Sequence, residues 1–136
     1  MNKEDQAKLI AYWLETAAHD FETMESLFAS KRYDAALFFG HIVLEKAFKA
    51  LVVERTGDHA PYTHDLTRLA ALAGRDSSEE ELSFLETVNT FNMEARYPEE
   101  KLAFYKQCTY EYTEPYKKNI TDFYQEICRE MKQQRQ

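Results

Sequence analysis

Three polar side chains recur at four-residue spacing in a long apolar stretch of this sequence. They are His41, Glu45 and Lys49, within the segment 33–55. Residues four apart lie on the same face of an α-helix, so we expect the three to form one polar stripe. Two interpretations stay open. Either Glu45 and Lys49 form an ion pair that neutralises charge beside the core, or the stripe is a pocket for an anion or nucleotide phosphate, with Lys46 and Lys49 as positive charges.

A metal site is a third interpretation of the same stripe. Glu15 and His19 have the same four-residue spacing on the preceding predicted helix, and in an antiparallel hairpin they lie at about the same height as His41 and Glu45, with the rotation of the two helices left open. Two histidines and two carboxylates on facing helices of a bundle can bind a transition metal. The Glu-x-x-His spacing of ferritin-like sites is absent here, however, and we predict neither a metal nor another cofactor.

His64 and Asp65 follow a loop at the predicted start of a helix. Asp65 suits the positive end of a helix dipole. His64 is either structural or a general base, although no nucleophile stands beside it in the sequence.

Arg96 and Tyr97 stand before a proline that interrupts a helix. One interpretation is that Arg96 contacts a phosphate and Tyr97 stacks on a base. The other is that Arg96 caps the helix and Tyr97 belongs to the core. We predict no catalytic residue at either pair.

Long helices must position these residues. With only three glycines and three prolines in 136 residues, the chain favours few turns and a small number of long helices. Apolar periodicity and capping residues predict five helices. They are Lys3–Ser30, Tyr33–Arg55, His64–Ala73 with Thr63 as N-cap, a fourth from Ser78 to about Met93, and a last one that begins at Thr113–Pro115 and continues to Met131. Residues 99–107 are expected to form one or two helical turns, and residues 132–136 to fray.

The second helix is predicted to be the central one, because apolar residues occupy almost all of its sides. Its longest uncharged run, Ala35 to Leu44, is ten residues, about half of the roughly 20 that a membrane span requires. We therefore expect an all-α, up-and-down helical bundle that forms one domain over residues 1–136 and has no membrane partner.

Charge and cysteine content restrict the functional classes. The net charge of −7 argues against a broad, non-specific nucleic-acid surface, and we predict no DNA partner. Cys108 and Cys128 form no CxxC pair, which is typical of a reducing compartment. The charged N-terminal residues lack an apolar signal core, so we expect a cytoplasmic protein.

A set of motifs occurs along the chain in a familiar order. They are Tyr33-x-x-Ala36, LEKAFKALV from Leu44, THDL from Thr63, FNMEARYP from Phe91 and YKQCTYEYTEPY from Tyr105. In this combination the chain resembles a HEPN domain of the short, stand-alone prokaryotic kind. The resemblance implies about five helices with a four-helix core, a homodimer, and a minimal nucleotidyltransferase as partner, often in a toxin–antitoxin pair.

Some HEPN proteins are metal-independent ribonucleases that use an arginine and a histidine with four to six residues between them. No histidine follows Arg96, and Arg55 is separated from His59 by only three residues. We therefore predict a dimeric binding or regulatory partner of a minimal nucleotidyltransferase, which binds a nucleotide or phosphate in a polar cleft and for which RNA is a further candidate ligand. The alternatives are a ribonuclease toxin, working through Arg96 with His64 supplied across the dimer, and a bundle with a His/Glu metal site.

The predicted dimer contact lies beside the central helix. That helix is apolar on more sides than a few neighbours from a chain of this size cover easily, and uncovered apolar surface marks interaction sites. A symmetric two-fold contact is the commonest way to cover such a surface. The aromatic-rich segment Tyr97–Tyr116 is expected to extend it.

Overall fold

The fold, seen in a computed structural model, is built from helices. The structure describes residues 1–135, with the side chains of residues 1–131, and contains no strand in that part of the chain. The all-α prediction is confirmed, with six helices in place of about five. They are α1 (Lys3–Ala29), α2 (Tyr33–Thr56), α3 (Leu66–Leu72), α4 (Glu79–Arg96), α5 (Pro98–Gln107) and α6 (Tyr110–Arg135).

Helices α1 and α2 form an antiparallel hairpin. The side chain of Asn2 accepts a hydrogen bond from the N–H of Asp5 and caps the start of α1. The turn after α1 is tight: Lys31 adopts a left-handed conformation, and the N–H of Arg32 bonds to the carbonyl of Leu27 at 2.8 Å. A three-residue connection of this kind brings the two long helices side by side.

Helix α2 is the centre of the molecule, as predicted. Every residue from Val43 to Val53 is buried except Lys46, because α1, α4 and α6 all pack against this helix. Gly40 allows the closest approach, since a Cβ atom there would lie 2.7 Å from Cδ1 of Ile120 on α6. Burial on several sides explains the nearly all-round apolar pattern of the segment.

Helix α3 begins later than predicted. Asp65, not Thr63, is the N-cap, and its carboxylate accepts hydrogen bonds from the backbone N–H groups of Thr67 and Arg68. The hydroxyl of Thr63 instead accepts from the N–H of Asp65, at 3.1 Å. Both residue types are good caps, and Asp65 is additionally held by the side-chain amide of Asn89 on α4, at 2.9 Å.

The start of α6 was also predicted wrongly. The helix begins at Tyr110, where the hydroxyl of Thr109 accepts from the N–H of Tyr112, so Thr113 is a buried residue of the first turns and not a cap. Pro115 lies inside the helix. A proline this close to the N-terminus of a helix removes only one backbone hydrogen bond. The packing of the buried face of α6 compensates for that loss. The helix continues to Arg135, beyond the predicted end, and Gln136 lies outside the described residues.

Helix α5 is longer than the one or two turns expected. Tyr97 has the extended backbone that a following proline favours, and Pro98 opens the helix at its first position. Phe104 is the one buried residue of α5, and its ring lies 5.7 Å from that of Phe91 on α4. None of the described helices combines the length and apolarity needed to cross a membrane.

Candidate functional site

The polar stripe of α2 forms one hydrogen-bonded cluster with residues from two other elements. His41, Glu45 and Lys49 come from successive turns of α2, His64 from the loop before α3, and Asn92 from α4. We call these five residues the His64 cluster. The loop brings His64 back over α2 because Gly57 ends that helix in a left-handed conformation and Asp65 caps the next helix directly afterwards.

His41 is fully buried and its two ring nitrogens have different partners. Nε2 lies 2.8 Å from the carbonyl oxygen of His64, which can only accept, so Nε2 carries the proton and donates. Nδ1 then accepts from the side-chain amide of Asn92 at 3.2 Å. Burial lowers the pKa of His41, although the hydrogen bond to His64 and the charge of Glu45 oppose that shift. The ring is therefore neutral and fastens the His64 loop to α2 and α4.

Both carboxylate oxygens of Glu45 are occupied. Oε1 accepts from Nδ1 of His64 at 2.7 Å, and Oε2 accepts from Nζ of Lys49 at 2.9 Å. The expected ion pair between Glu45 and Lys49 is therefore present. Since the side chains of Glu45 and Lys49 are 11% and 7% exposed, the pairing compensates two charges that water hardly reaches.

Lys49 is enclosed by aromatic rings as well as by Glu45. Its Nζ lies 5.2 Å from the centre of the Trp13 ring and 5.9 Å from that of Tyr62. These are cation–π distances, which suit an ammonium group that has lost most of its water. In this arrangement Lys49 holds Glu45, which in turn holds His64. The role of Lys49 as a phosphate-binding charge stays a prediction.

Lys46 points away from the cluster. Its Nζ donates to Oδ2 of Asp20 on α1 at 2.6 Å. Asp65 is occupied as the cap of α3: partial burial raises its pKa, but hydrogen bonds from Thr67 and Asn89 outweigh this and lower the pKa overall. Lys46 and Asp65 were both predicted to belong to the binding site. Lys46 is separate from the His64 cluster, whereas Asp65 directly follows His64 in the chain.

Arg96 is the last residue of α4 and Tyr97 is its C-cap. Arg96 lies one turn after Asn92, which belongs to the His64 cluster. Nε of Arg96 donates to the backbone carbonyl of Asn92 at 3.2 Å, one turn earlier in the helix. That bond matches the expectation that Arg96 caps helix carbonyls. The side chain is nevertheless exposed, and Nη1 and Nη2 make no hydrogen bond within residues 1–131. Tyr97 is half exposed, so it is not a core residue.

The structure does not assemble the metal site considered from the sequence. Glu15 and His19 face solvent, and the His19 side chain, 80% exposed, lies beside Asp20 rather than His41. Within the described residues, no group of three His, Cys, Asp or Glu side chains is placed to hold a metal ion. Helices α1 and α2 are adjacent as expected. Their rotation, however, turns Glu15 and His19 toward solvent, whereas His41 and Glu45 face the interior.

The chemistry available to the cluster lies at the outer edge of His64. Its side chain is 44% exposed, Nδ1 is held by Glu45, and Nε2 has no hydrogen-bond partner in the described part of the chain. Tyr62 stands beside it with ring centres 5.6 Å apart and is 91% exposed. An oriented imidazole can exchange a proton or donate to an anion, and an exposed tyrosine ring can stack on a base.

Three residues of this site, Trp13, Tyr62 and Asn92, were not identified from the sequence as functional. Trp13 fits the apolar periodicity of α1 and Tyr62 lies in a loop, so neither carries a functional signal in the sequence. Asn92 carried a usable signal, because a polar residue on the inward stripe of a helix needs a buried partner. Its partner, His41, is 51 residues away and only the fold identifies it.

Comparison with known families agrees with the motifs. A family model described as HEPN domain matches residues 10–134, nearly the whole chain and every residue of the His64 cluster. No curated protein and no solved structure matches the chain.

Proposed function

The chain belongs to the HEPN domain family, and from this premise we propose that it binds a nucleotide at His64 and Tyr62. The observation that carries the proposal is the hydrogen bond from Nδ1 of His64 to Glu45, which leaves Nε2 of a partly exposed imidazole without a hydrogen-bond partner in the described residues, beside an exposed tyrosine ring. A nucleotide presents both chemistries that this pair can meet, a phosphate and an aromatic base.

The phosphate is expected to lie against His64. When protonated, the imidazole offers Nε2–H for a charge-assisted hydrogen bond, and Glu45 keeps the ring oriented while it does so. Arg96 is the candidate for a second contact, because Nη1 and Nη2 have no partner among residues 1–131 and its backbone anchor, Asn92, also bonds to His41. The base is expected to stack on Tyr62.

The protein is further proposed to act as a dimeric binding or regulatory partner of a minimal nucleotidyltransferase, within a prokaryotic, cytoplasmic toxin–antitoxin module. The motif order of short stand-alone HEPN proteins supports this part of the proposal. Nucleotide binding would connect this protein with its proposed partner, because a nucleotidyltransferase uses nucleotides as substrates. We further propose that residues 1–136 form a single domain.

Titration with a fluorescent ATP analogue tests nucleotide binding. His64→Ala should weaken binding about 10- to 100-fold, as expected for a hydrogen bond to a charged group. Tyr62→Ala should weaken it about 5- to 100-fold, and Tyr62→Phe should bind like the wild type, because stacking needs the ring and not the hydroxyl. His59→Ala removes an exposed histidine of the same loop and is the matched control. Equal affinity of all four variants would overturn the proposal.

Capture of the tagged protein from its native cell, followed by mass spectrometry, tests the partner. A nucleotidyltransferase should be the main protein retained at a fixed ratio to the bait. Its absence, with the bait intact, would contradict the proposed partnership while leaving nucleotide binding to be judged by titration.

A ribonuclease is the second candidate function. The pairing of a carboxylate with Nδ1 of His64 is the arrangement that orients a general base, and Arg96 could stabilise a phosphate in the same reaction. Because the family's arginine-to-histidine spacing is not matched, we expect purified protein not to cleave total RNA in the presence of a chelator. Cleavage that disappears in both Arg96→Ala and His64→Ala would favour the enzyme.

A further inference from the structure

Hydrogen-bond donors that lack an acceptor collect beside the proposed nucleotide site. An ammonium group has three donors, and Nζ of Lys49 uses one of them, on Oε2 of Glu45 at 2.9 Å. The Lys49 side chain is only 7% exposed, so water reaches its other donors poorly. Because a buried donor without a hydrogen bond costs free energy, an acceptor supplied by a ligand is bound favourably at this point.

Trp13 adds another donor of the same kind. Its Nε1–H is buried and makes no hydrogen bond among the described residues, although buried tryptophan N–H groups usually have an acceptor. The centre of the Trp13 ring lies 5.2 Å from Nζ of Lys49. The adjacent helices α1 and α2 therefore bring unused donors of both residues into the same small volume.

The acceptors nearest to these donors are already occupied. Both carboxylate oxygens of Glu45 accept hydrogen bonds, from Nδ1 of His64 and from Nζ of Lys49. The carbonyl oxygen of His64 accepts from the ring of His41. The unused groups around Nζ of Lys49 are thus donors, and a ligand that fits them must present acceptors side by side.

Tyr62 places a stacked base within reach of these donors. Nζ of Lys49 lies over the face of the Tyr62 ring, 5.9 Å from its centre, so a base that stacks on this face directs one edge at Nζ. His64, where the phosphate is expected, lies beside the same ring. Because Tyr62 is almost fully exposed, its ring can shift to admit the base without losing core packing.

Guanine is the base whose edge matches a surplus of donors. It presents O6 and N7 as two adjacent acceptors, and a lysine side chain that contacts both is a common way of recognising guanine. Adenine presents N7 beside the N6 amino group, and cytosine presents the N4 amino group, so a donor of either base would face the donors of the protein. Uracil and thymine offer the single acceptor O4.

We infer that the site prefers guanine nucleotides, with O6 and N7 of the base accepting hydrogen bonds from Nζ of Lys49 and Nε1–H of Trp13. In this arrangement the base stacks on Tyr62 and the phosphate lies against His64. The inference rests on the nucleotide binding of the proposed function and adds the identity of the base. It requires the ligand to use the donors of Lys49 and Trp13, whereas nucleotide binding alone requires neither.

Displacement of a ribose-labelled GTP analogue by unlabelled nucleotides tests the base preference on the wild-type protein, where no folding defect can imitate the result. GTP and ITP should displace the analogue equally well, because the base of ITP keeps O6 and N7 and lacks only the N2 amino group. ATP should bind about 5- to 100-fold more weakly than GTP, and 7-deaza-GTP, which lacks N7, should fall between them. Equal displacement by GTP and ATP would overturn the guanine preference and leave nucleotide binding standing. ITP that binds as weakly as ATP would overturn the contacts at O6 and N7.

Trp13→Phe tests the donor on the protein side, because it keeps an aromatic ring and removes Nε1–H. The ratio of GTP affinity to ATP affinity should fall by about 3- to 10-fold, as expected for one hydrogen bond. Tyr12→Phe, which removes the hydroxyl of the exposed neighbouring residue, is the matched control and should keep the wild-type ratio. An unchanged ratio in Trp13→Phe would overturn the assignment of Nε1–H as a donor to the base. A GTP analogue that does not bind the wild-type protein at all would overturn both this inference and the proposed nucleotide binding.

Discussion

Glu45 holds His64 through a 2.7 Å hydrogen bond between Oε1 and Nδ1, from the central helix to a loop 19 residues later. The same carboxylate accepts from Lys49, so one nearly buried group orients the exposed imidazole and neutralises a nearly buried cation. The stability of the fold and the geometry of the candidate site therefore depend on the same side chain.

Glu45→Gln should lower the free energy of unfolding by about 3 kcal/mol, because it leaves the ammonium of Lys49 enclosed without a counter-charge. Lys49→Met should also destabilise the protein, since the carboxylate then keeps only His64 as partner. The double variant should lose less than the two single losses added together, with a coupling of about 1–3 kcal/mol. Urea unfolding of the four proteins completes the cycle, and simple additivity would show that the pair contributes no interaction energy.

His41→Ala should destabilise the protein by about 2–4 kcal/mol. The substitution leaves a cavity and removes the partners of the His64 carbonyl and the Asn92 amide. His19→Ala, on the exposed side of α1, is the control and should change stability by less than about 0.5 kcal/mol. Thermal or urea unfolding of the two variants provides the comparison, and losses of equal size would mean that His41 does not fasten the loop.

The α2 stripe was predictable because its geometry is local. Four-residue spacing on a helix implies that His41, Glu45 and Lys49 share a face, and no knowledge of the rest of the fold is required. The partners of the stripe were not predictable in the same way. His64 and Asn92 reach it from 23 and 51 residues away from His41, and only the packing of α4 and the loop onto α2 determines those contacts.

The helix starts show the same limit. Thr63 and Asp65 are both residue types that cap helices, and the local sequence does not rank them. Asp65 has the additional hydrogen bond from Asn89, a long-range contact. Pro115 was misleading in the opposite sense: proline is common at the first helical position, whereas here the helix starts five residues earlier.

Arg75 should be the most important residue of the α3–α4 connection. Its side chain is 6% exposed; Nη1 donates to Glu130, while Nη2 lies 3.7 Å from Glu126 and 3.8 Å from Glu81. Arg75→Leu removes the cation and leaves these carboxylates facing one another, so we expect a loss of about 3 kcal/mol in unfolding free energy.

Urea unfolding measures that loss, with Arg68→Leu on the exposed side of α3 as control. The control should stay within about 0.5 kcal/mol of the wild type. Arg75→Lys should fall between the two, because it keeps the charge but not the guanidinium's several donors. A fully stable Arg75→Leu would show that the carboxylates are adequately solvated without the arginine.

The free energy of unfolding should decrease as the pH falls below about 6.5, which is the ordinary pKa of a histidine side chain. Burial lowers the pKa of His41 in the folded protein, so the unfolded chain binds a proton there more readily than the folded one. The contribution is fully present above pH 6.5 and is lost progressively below it, by at most about 1 kcal/mol between pH 6.5 and 5.5. Urea midpoints measured across this range should therefore decrease with pH.

His41→Gln isolates the contribution of that one histidine. His19, His59 and His64 remain in the variant, so the difference between the two pH profiles reports His41 alone. We expect the variant to be less stable at pH 7.5 and to lose less stability on acidification, whereas His59→Gln should reproduce the wild-type slope. Parallel profiles for wild type and His41→Gln would mean that His41 binds its proton equally well in the folded and unfolded chain, and that the buried, neutral ring inferred from its two hydrogen bonds is wrong.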